Sequence, residues 1–246
     1  MAISHAVVLA GGLGTRIRDA LGDTPKALAD LDGEPLIQWK LRELRRARVS
    51  EATLLTGHGS DPIRDWCATA HVDLPSVTLR DDGPVLLGTG GALLAALPDL
   101  PPEFYLTYGD TLLAEEYALL DRARARASTP CALMVTARVG AADRVNTAIG
   151  DGLVRVHHKR GGDASLTHLD YGVMLLTRAT LTATATSLGS PTGPLDLSVL
   201  LERLAEAGVL AAAVTALPYH EIGSASTLTA TRQWASGQPR QLPPPR

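Results

Sequence analysis

Cysteine is scarce in this sequence: Cys67 and Cys131 are the only two among 246 residues. Two unclustered thiols in a chain of this length make neither a disulfide framework nor a zinc site. Cys67 falls in a helical-looking stretch and Cys131 opens an apolar one, so both read as small core residues. Such sparing use suits a reducing cytoplasm. Long apolar runs are missing too. Hydrophobic residues make up 45% of the chain, yet no run nears the roughly 18 residues that a membrane-spanning helix needs, so no membrane partner is expected. The opening MAISHAVVLAGG lacks the basic start, extended apolar centre and cleavage site of a secretion signal, and its apolar run is better used as a first strand. Positive charge is not in excess. The 23 Lys and Arg against 26 Asp and Glu leave a net charge of -3, which argues against a nucleic-acid partner. The locally basic RELRRAR at 42–48 is expected as a solvated helix face. His5, His58, His71, His168 and His220 show no metal-ligand spacing. No G-x-S-x-G is present, and no Ser-His-Asp set can be ordered.

What the sequence does have is alternation. The length suits one α/β domain, or at most two small ones, and is enough to bury a sizeable core. Residues 6–10, 52–56, 76–80 and 104–108 read as strands, as does CALMVTARV. Between them, PLIQWKLRELRRA, PIRDWCATA, ALLAAL and LLAEEYALLDRARARA read as helices. In the first of these Pro35 sits at the first turn and Ile37, Leu41 and Leu44 share one face. The second half is more antiparallel. Asp151-Gly152 stands between two short β-like runs as a hairpin signal. DYGVMLLT is another buried strand. LDLSVLLERLAEAG is a helix closed by Gly208, VLAAAVTAL is a strand, and a last helix starts near Ser224. No repeat and no interior linker is visible. The domain is expected over residues 1–235, with a proline-rich, disordered tail at 236–246.

The stretch LAGGLGTRIRDALGDTPKAL, following at once on the apolar HAVVLA, carries the most chemistry. A glycine turn after a first strand sits at the carboxyl edge of the sheet, where α/β folds bind ligands, and its bare backbone lets a phosphate approach. An ordinary tight turn is the plainer reading of the glycines alone. A dinucleotide fingerprint would need a glycine where Ile17 stands, and a P-loop would need a lysine directly after the glycines, so both spacings fail. What remains is a turn followed by a fixed arginine and a Pro-Lys pair. Two cations beside a glycine cradle suit a triphosphate whose pyrophosphate must leave, because charge grows on the departing oxygens.

These residues resemble the signature of the sugar 1-phosphate nucleotidyltransferases, G-G-x-G-T-R followed by P-K. The resemblance continues through LDGEPLIQWKLRELRRARVSEATLLTG, LLGTGGAL, FYLTYGDTLL, VHHKRG and YHEIGSASTLTATRQW, and covers Ala2 to about Trp234. Tyr108 stands where the family more often has asparagine, and Glu221 where many members have aspartate. The resemblance implies an α/β fold, a Rossmann-like nucleotidyltransferase domain with a mixed, mostly parallel sheet flanked by helices. It implies an enzyme joining a nucleoside triphosphate to a sugar 1-phosphate and releasing pyrophosphate. The subgroup most like this chain uses D-glycero-D-manno-heptose 1-phosphate and GTP. Mannose 1-phosphate guanylyltransferases and muramate 1-phosphate uridylyltransferases are near neighbours. The other class of reading is a non-catalytic nucleotide-sugar-binding regulator. The sequence leaves the oligomeric state open.

By the same resemblance, Leu9, Ala10, Gly11, Gly12, Gly14 and Thr15 cradle the nucleotide together with Gly88, Thr89 and Gly90. Arg16 faces the leaving pyrophosphate, Lys26 the α-phosphate, and Lys159 the sugar phosphate. Asp110 and Glu221 would hold Mg²⁺. Read without the family, Asp110 is a turn or cap residue and Lys159 a surface lysine. Asp170, Tyr171 and Gly172 stand at the sugar-contact position; Tyr171 as half-buried core and Asp170 as a strand-start cap is the equal alternative. His157, His158 and Arg160 add positive character around Lys159, and His58 at its strand end reads as a loop residue.

Overall fold

Val7, Val8 and Leu9 leave no polar face, which is what a strand covered on both sides requires. They form the middle of a sheet in the computed structural model, which describes residues 3–12, 17–57, 60–70, 74–83, 85–113, 116–137, 144–159, 164–189 and 193–238. In chain order the elements are β1 (His5–Leu9), α1 (Arg18–Leu21), β2 (Asp30–Leu31), β3 (Glu34–Pro35), α2 (Leu36–Arg46), β4 (Glu51–Thr56), α3 (Asp61–Thr69), β5 (Ser76–Asp81), α4 (Gly88–Ala96), β6 (Glu103–Tyr108), β7 (Thr111–Leu113), α5 (Ala118–Ala127), β8 (Cys131–Thr136), β9 (Thr147–Gly150), β10 (Leu153–His157), β11 (Leu169–Thr177), α6 (Arg178–Leu188), α7 (Leu197–Glu206), β12 (Leu210–Thr215), β13 (Tyr219–Glu221) and α8 (Ala225–Ser236).

Among the described residues, nine strands form one sheet in the order β5-β4-β1-β6-β11-β8-β12-β10-β9. β5, β4, β1 and β6 are parallel neighbours. β11 runs antiparallel to both β6 and β8, and β12 is again parallel to β8. The sheet is therefore mixed and mostly parallel, as expected. Side chains alternate across it. Ala6, Val8, Leu54, Tyr105 and Met134 pack on one face with Ile37, Leu41 and Leu44 of α2. Val7, Leu9, Leu55, Phe104 and Leu106 pack on the other with α4 and α7. The β9–β10 hairpin turns at Asp151 and Gly152, both at positive φ (53° and 76°), the backbone that a two-residue type I′ turn demands. α8 starts from Ser224, whose hydroxyl takes part in a capping box with Thr227. No helix among the described residues is long and apolar enough to cross a membrane.

Several expectations need correction. The helix expected from Leu112 begins only at Ala118, because Leu112 and Leu113 belong to β7, which pairs antiparallel with β13. The helix expected at ALLAAL already begins at Gly88. α6 has no counterpart in the sequence reading. Its RATLTATATSL buries Leu181 but shows no apolar stripe, and its Thr182, Thr184 and Thr186 hydroxyls bond back to carbonyls four residues earlier, each at 2.9 Å. The basic run is not uniformly solvated. Arg45, Arg46 and Arg48 are exposed, but Arg42 is buried. Its guanidinium donates to both Glu34 carboxylate oxygens at 2.9 and 3.0 Å and lies 5.1 Å from the Trp39 ring centroid. Cys131 is buried as expected, while Cys67 is only partly so. Ser236 still belongs to α8, and residues 239–246 of the expected tail lie outside the described residues.

Candidate active site

Three parallel strands end side by side, and glycine is what lets their ends touch. A Cβ on Gly11 would stand 2.4 Å from the Gly57 nitrogen, so the turn after β1 and the end of β4 meet backbone to backbone. The Gly109 N–H donates to the Leu9 carbonyl at 2.9 Å, which ties the end of β6 to the end of β1. A Cβ on Gly12, by contrast, would meet nothing within 4 Å. Beyond these ends opens a cavity of about 540 Å³. Leu9, Ala10, Gly11 and Gly12 form one wall of it; Tyr108, Gly109 and Asp110 form another. Lys26, Gly88, Thr89 and Lys159 also line it, so residues from five distant segments face one space.

Lys26 opens a single 3-10 turn behind Pro25, whose extended backbone (φ -55°, ψ 140°) delivers the chain to that point. Its Nζ donates to Asp110 Oδ2 at 3.1 Å, with the lysine side chain 14% and the aspartate 36% exposed. Asp110 follows Gly109 in the two-residue turn from β6 to β7. The Ile222 N–H donates to the Asp110 carbonyl at 3.0 Å, and Glu221 pairs in register with Thr111. The small β7–β13 ladder thus makes Glu221 a backbone neighbour of Asp110, although Glu221 does not line the cavity. Asp110 is the carboxylate of the two that lines the cavity, and an oxygen donor of this kind suits a hard cation, which takes one or two carboxylates and leaves its other positions to phosphate oxygens and water. Among the described residues no three His, Cys, Asp or Glu side chains gather into an all-protein metal cluster.

The start of α4 has a packing task of its own. Gly88 and Gly90 lie so close to the segment before α7 that a Cβ would stand 2.4 Å from the Leu195 carbonyl oxygen and 2.8 Å from that of Asp196. The Gly90 N–H donates to the Leu195 carbonyl at 2.9 Å, and Thr89 Oγ1 accepts the Leu197 N–H at 2.9 Å. Gly90 therefore stands against Leu195 and Asp196 rather than on the cavity wall. This docking fixes Asp196, whose Oδ1 caps α7 by accepting the Ser198 N–H at 3.0 Å and whose Oδ2 accepts from Lys159 Nζ. Burial opposes the Asp196 charge, but the Lys159 and Ser198 donors prevail and hold its carboxyl below the usual range.

Asp170, Tyr171 and Gly172 are drawn away from the cavity wall. Asp170 accepts the Gly172 N–H at 2.8 Å and lies 3.4 Å from His157 Nε2. Tyr171 is buried, with its hydroxyl donating to the Pro218 carbonyl at 2.6 Å, a core residue. Gly172, at φ +84°, leaves room for the Tyr108 ring, 3.2 Å from where its Cβ would be. Tyr108 is the member of this group that reaches the cavity. Burial, then the charges of Asp170, Asp196 and Asp110, push its hydroxyl well above the usual pKa, so it stays a neutral donor. Gly14, Thr15, Arg16, His58, His71 and Arg160 lie outside the described residues.

Asp196 is a site residue that sequence reasoning missed, and Asp82 belongs to the 81–83 stretch that the sequence offers, with 88–91, for contacts to the base. Asp82 lines the cavity, and burial, followed by the neighbouring Asp81, raises its carboxyl pKa. Asp196 did carry a signal: the Asp-Leu-Ser of LDLS is an N-cap pattern.

Residues 6–155 match the MobA-like NTP transferase domain. Over 128 residues, 50% of this chain, the sequence is 38% identical to the bifunctional protein GlmU of Kineococcus radiotolerans. Over 107 residues, 44% of the chain, it is 28% identical to the D-glycero-alpha-D-manno-heptose 1-phosphate guanylyltransferase of Campylobacter jejuni. These alignments span 24% and 48% of the two relatives, so the chain matches at most about half of their length. Among solved structures, a putative glucose-1-phosphate thymidylyltransferase of Bacillus anthracis superposes with a TM-score of 0.82 at 15% identity, covering 97% of both chains. HddC of Yersinia pseudotuberculosis, complexed with GMP-PN, gives 0.75 at 22% identity, covering 94% of this chain and 99% of that one. At these identities the likeness is one of fold.

Proposed function

The chain belongs to the MobA-like NTP transferase domain family, and from that premise we propose that it is a cytoplasmic sugar 1-phosphate nucleotidyltransferase, making an NDP-sugar and pyrophosphate from an NTP and a sugar 1-phosphate. The observation that carries the reading is the single cavity lined at once by Gly12, Lys26, Asp110 and Lys159. A bare backbone, two cations and a carboxylate around one space are what two phosphate-bearing substrates need in order to meet.

In this reaction an oxygen of the sugar phosphate attacks the nucleotide α-phosphorus in line and pyrophosphate departs. The nucleophile is already anionic at neutral pH, so no general base and no covalent intermediate are needed. Catalysis is positioning plus neutralisation of growing charge. Gly11 and Gly12 present backbone N–H groups to the triphosphate; Gly14 and Thr15 are assigned to the same phosphates, and Arg16 to the leaving pyrophosphate, by the family resemblance. Lys26 serves the α-phosphate, exchanging part of its contact with Asp110 for the substrate. Lys159 leaves Asp196 for the incoming sugar phosphate. Asp110 and Glu221 would hold Mg²⁺, which supplies charge neutralisation to the phosphates when bound.

For the substrates themselves, we take D-glycero-D-manno-heptose 1-phosphate and GTP. Support comes from the 28% identical Campylobacter jejuni relative and from the motif pattern of residues 87–93, 159–172 and 221–224. A panel of four NTPs against heptose, mannose, glucose and N-acetylated hexosamine 1-phosphates, read by pyrophosphate release, tests both levels. The fastest release is expected with GTP and the heptose. Release with another pair corrects the substrates alone. Tight nucleotide-sugar binding without release from any pair makes the protein a regulator.

A further inference from the structure

Helix α2 buries two charges. Lys40 is 0% exposed, and Glu43 is buried one helical turn later. Taking an ion pair out of water opposes folding, and apolar side chains of similar volume often serve stability as well or better. Stability alone is a poor reason for this pair, and its contacts supply another. Lys40 Nζ donates to Glu43 Oε1 at 2.8 Å and to Thr107 Oγ1 at 3.2 Å. Glu43 Oε2 accepts the Leu113 N–H at 2.8 Å, and its Oε1 accepts the Tyr117 hydroxyl at 2.7 Å. Thr107 lies three residues before Asp110 and Leu113 three residues after it. One belongs to β6 and the other to β7, and Asp110 occupies the turn between them. Tyr117 is itself buried and held edge-on to Tyr105, with ring centroids 5.0 Å apart, so its hydroxyl has a fixed place.

We propose that Lys40 and Glu43 are positioning residues for Asp110. The buried pair holds both shoulders of the β6–β7 turn and thereby sets where the Asp110 carboxylate stands, a role that rests on the reading of Asp110 as a cation-holding residue. Directional bonds at 2.7–3.2 Å fix a turn in a way that apolar contacts, which slide, do not. A carboxylate that serves a small octahedral cation has little tolerance for displacement, so a rigid support behind it decides how well it works.

The test is the double variant Lys40→Met/Glu43→Leu, which removes both charges at similar volume, with Asp110→Asn alongside. Mn²⁺ alone is titrated against each protein and followed by electron paramagnetic resonance; thermal unfolding and steady-state kinetics run in parallel. The double variant is expected to stay folded but to unfold at a lower temperature, because the Leu113 N–H and the Tyr117 hydroxyl lose their acceptor; it is expected to bind Mn²⁺ about 10–100-fold more weakly and to lose turnover by a similar factor, with an unchanged KM for the sugar 1-phosphate. Wild-type Mn²⁺ affinity in the folded double variant overturns the proposal. Should that variant fail to fold, Thr107→Val carries the test, since it removes the Lys40 acceptor on β6 and leaves the ion pair intact. Weaker Mn²⁺ binding by Thr107→Val, restored in Thr107→Ser, supports the role, and unchanged binding overturns it. If Asp110→Asn itself binds Mn²⁺ and turns over like wild type, the cation reading of Asp110 falls and the positioning role with it. If Asp110→Asn loses Mn²⁺ while the double variant keeps it, the positioning role alone falls.

Discussion

At the end of the cavity formed by β1, β4 and β6, functional groups stand on backbone that has no room to move. Gly11 touches Gly57, Gly109 is bonded to Leu9, and Lys26 is 14% exposed beside Asp110. At the other end Lys159 is 63% exposed and extends from the β10 side to Asp196 at the start of α7. The first end is built from parallel strands pinned by glycine, the second from a long side chain on a surface segment. Rigid charge suits the place where charge grows during reaction, because preorganised groups need no rearrangement at the transition state. An exposed cation on a long side chain suits capture of an incoming phosphate, which it binds alike before and during reaction.

The sharpest way to break this comparison is to remove one charge from each end. Asp110→Ala is expected to cut turnover by about 100-fold or more, the scale seen when a transition-state group is lost, while the protein stays folded. Lys159→Ala is expected to raise the KM for sugar 1-phosphate about 10-fold, the worth of a charge-assisted hydrogen bond, with turnover little changed. Steady-state kinetics on both variants decides it, and the reversed pattern would exchange the roles of the two ends.

A smaller effect sharpens the claim that the first end is fixed by backbone contact. Gly11→Ala would place a Cβ 2.4 Å from the Gly57 nitrogen and is expected to destabilise by about 1–3 kcal/mol, the usual cost of overpacking. Gly12→Ala meets nothing within 4 Å and should leave stability unchanged while weakening nucleotide binding. Urea unfolding of the pair checks the contrast; equal losses would mean that Gly11 is not the pin.

The smallest effect concerns acid. Burial holds the His5 imidazole below its usual pKa against the opposing pull of Glu51, and burial does the same to His168. A histidine whose folded pKa is lowered favours its neutral form in the fold, so the unfolded chain takes up the proton first. The stabilisation is present above the unfolded value of about 6.5 and is lost as pH falls below it. Unfolding temperatures should therefore drop between pH 7 and pH 5. His5→Gln at the start of β1, which keeps a partner for Thr53, and His168→Gln, bridged to Thr147, should each flatten that slope. A slope unchanged in both variants would assign the acid sensitivity elsewhere.

Where burial and turn chemistry dominate, the sequence was legible. The apolar run of β1, the Asp151-Gly152 turn and the Ser224 cap each announce themselves locally, and each is where it was expected. Elements whose reason for existing is a distant partner were not. β7 is three residues long and owes its place to β13, and α6 is a threonine helix with one buried leucine. Arg42 reads as one more surface cation until Glu34 and Trp39 are folded around it. The same holds within the site. The strand ends carrying Gly11 and Asp110 follow from local pattern, but the use of Gly90 against Asp196 depends on contacts that no spacing encodes, and for Tyr171 the sequence offers core and sugar contact equally, a choice made by its burial and its bond to Pro218.

β11, one of the strands that run against the grain, has a consequence for how the chain is made. β8 has β11 and β12 as its neighbours, and β6 has β1 and β11. Both later strands lie beyond residue 155, where the match to the family domain ends. As the polypeptide leaves the ribosome, β5, β4, β1 and β6 can assemble as a four-stranded sheet, but β6 presents a bare edge and β8 has nothing to pair with. Such an edge is a template for unwanted pairing. The gap in the middle closes only after Thr177 has emerged, and a chain cut at residue 155 would keep that seam open for good.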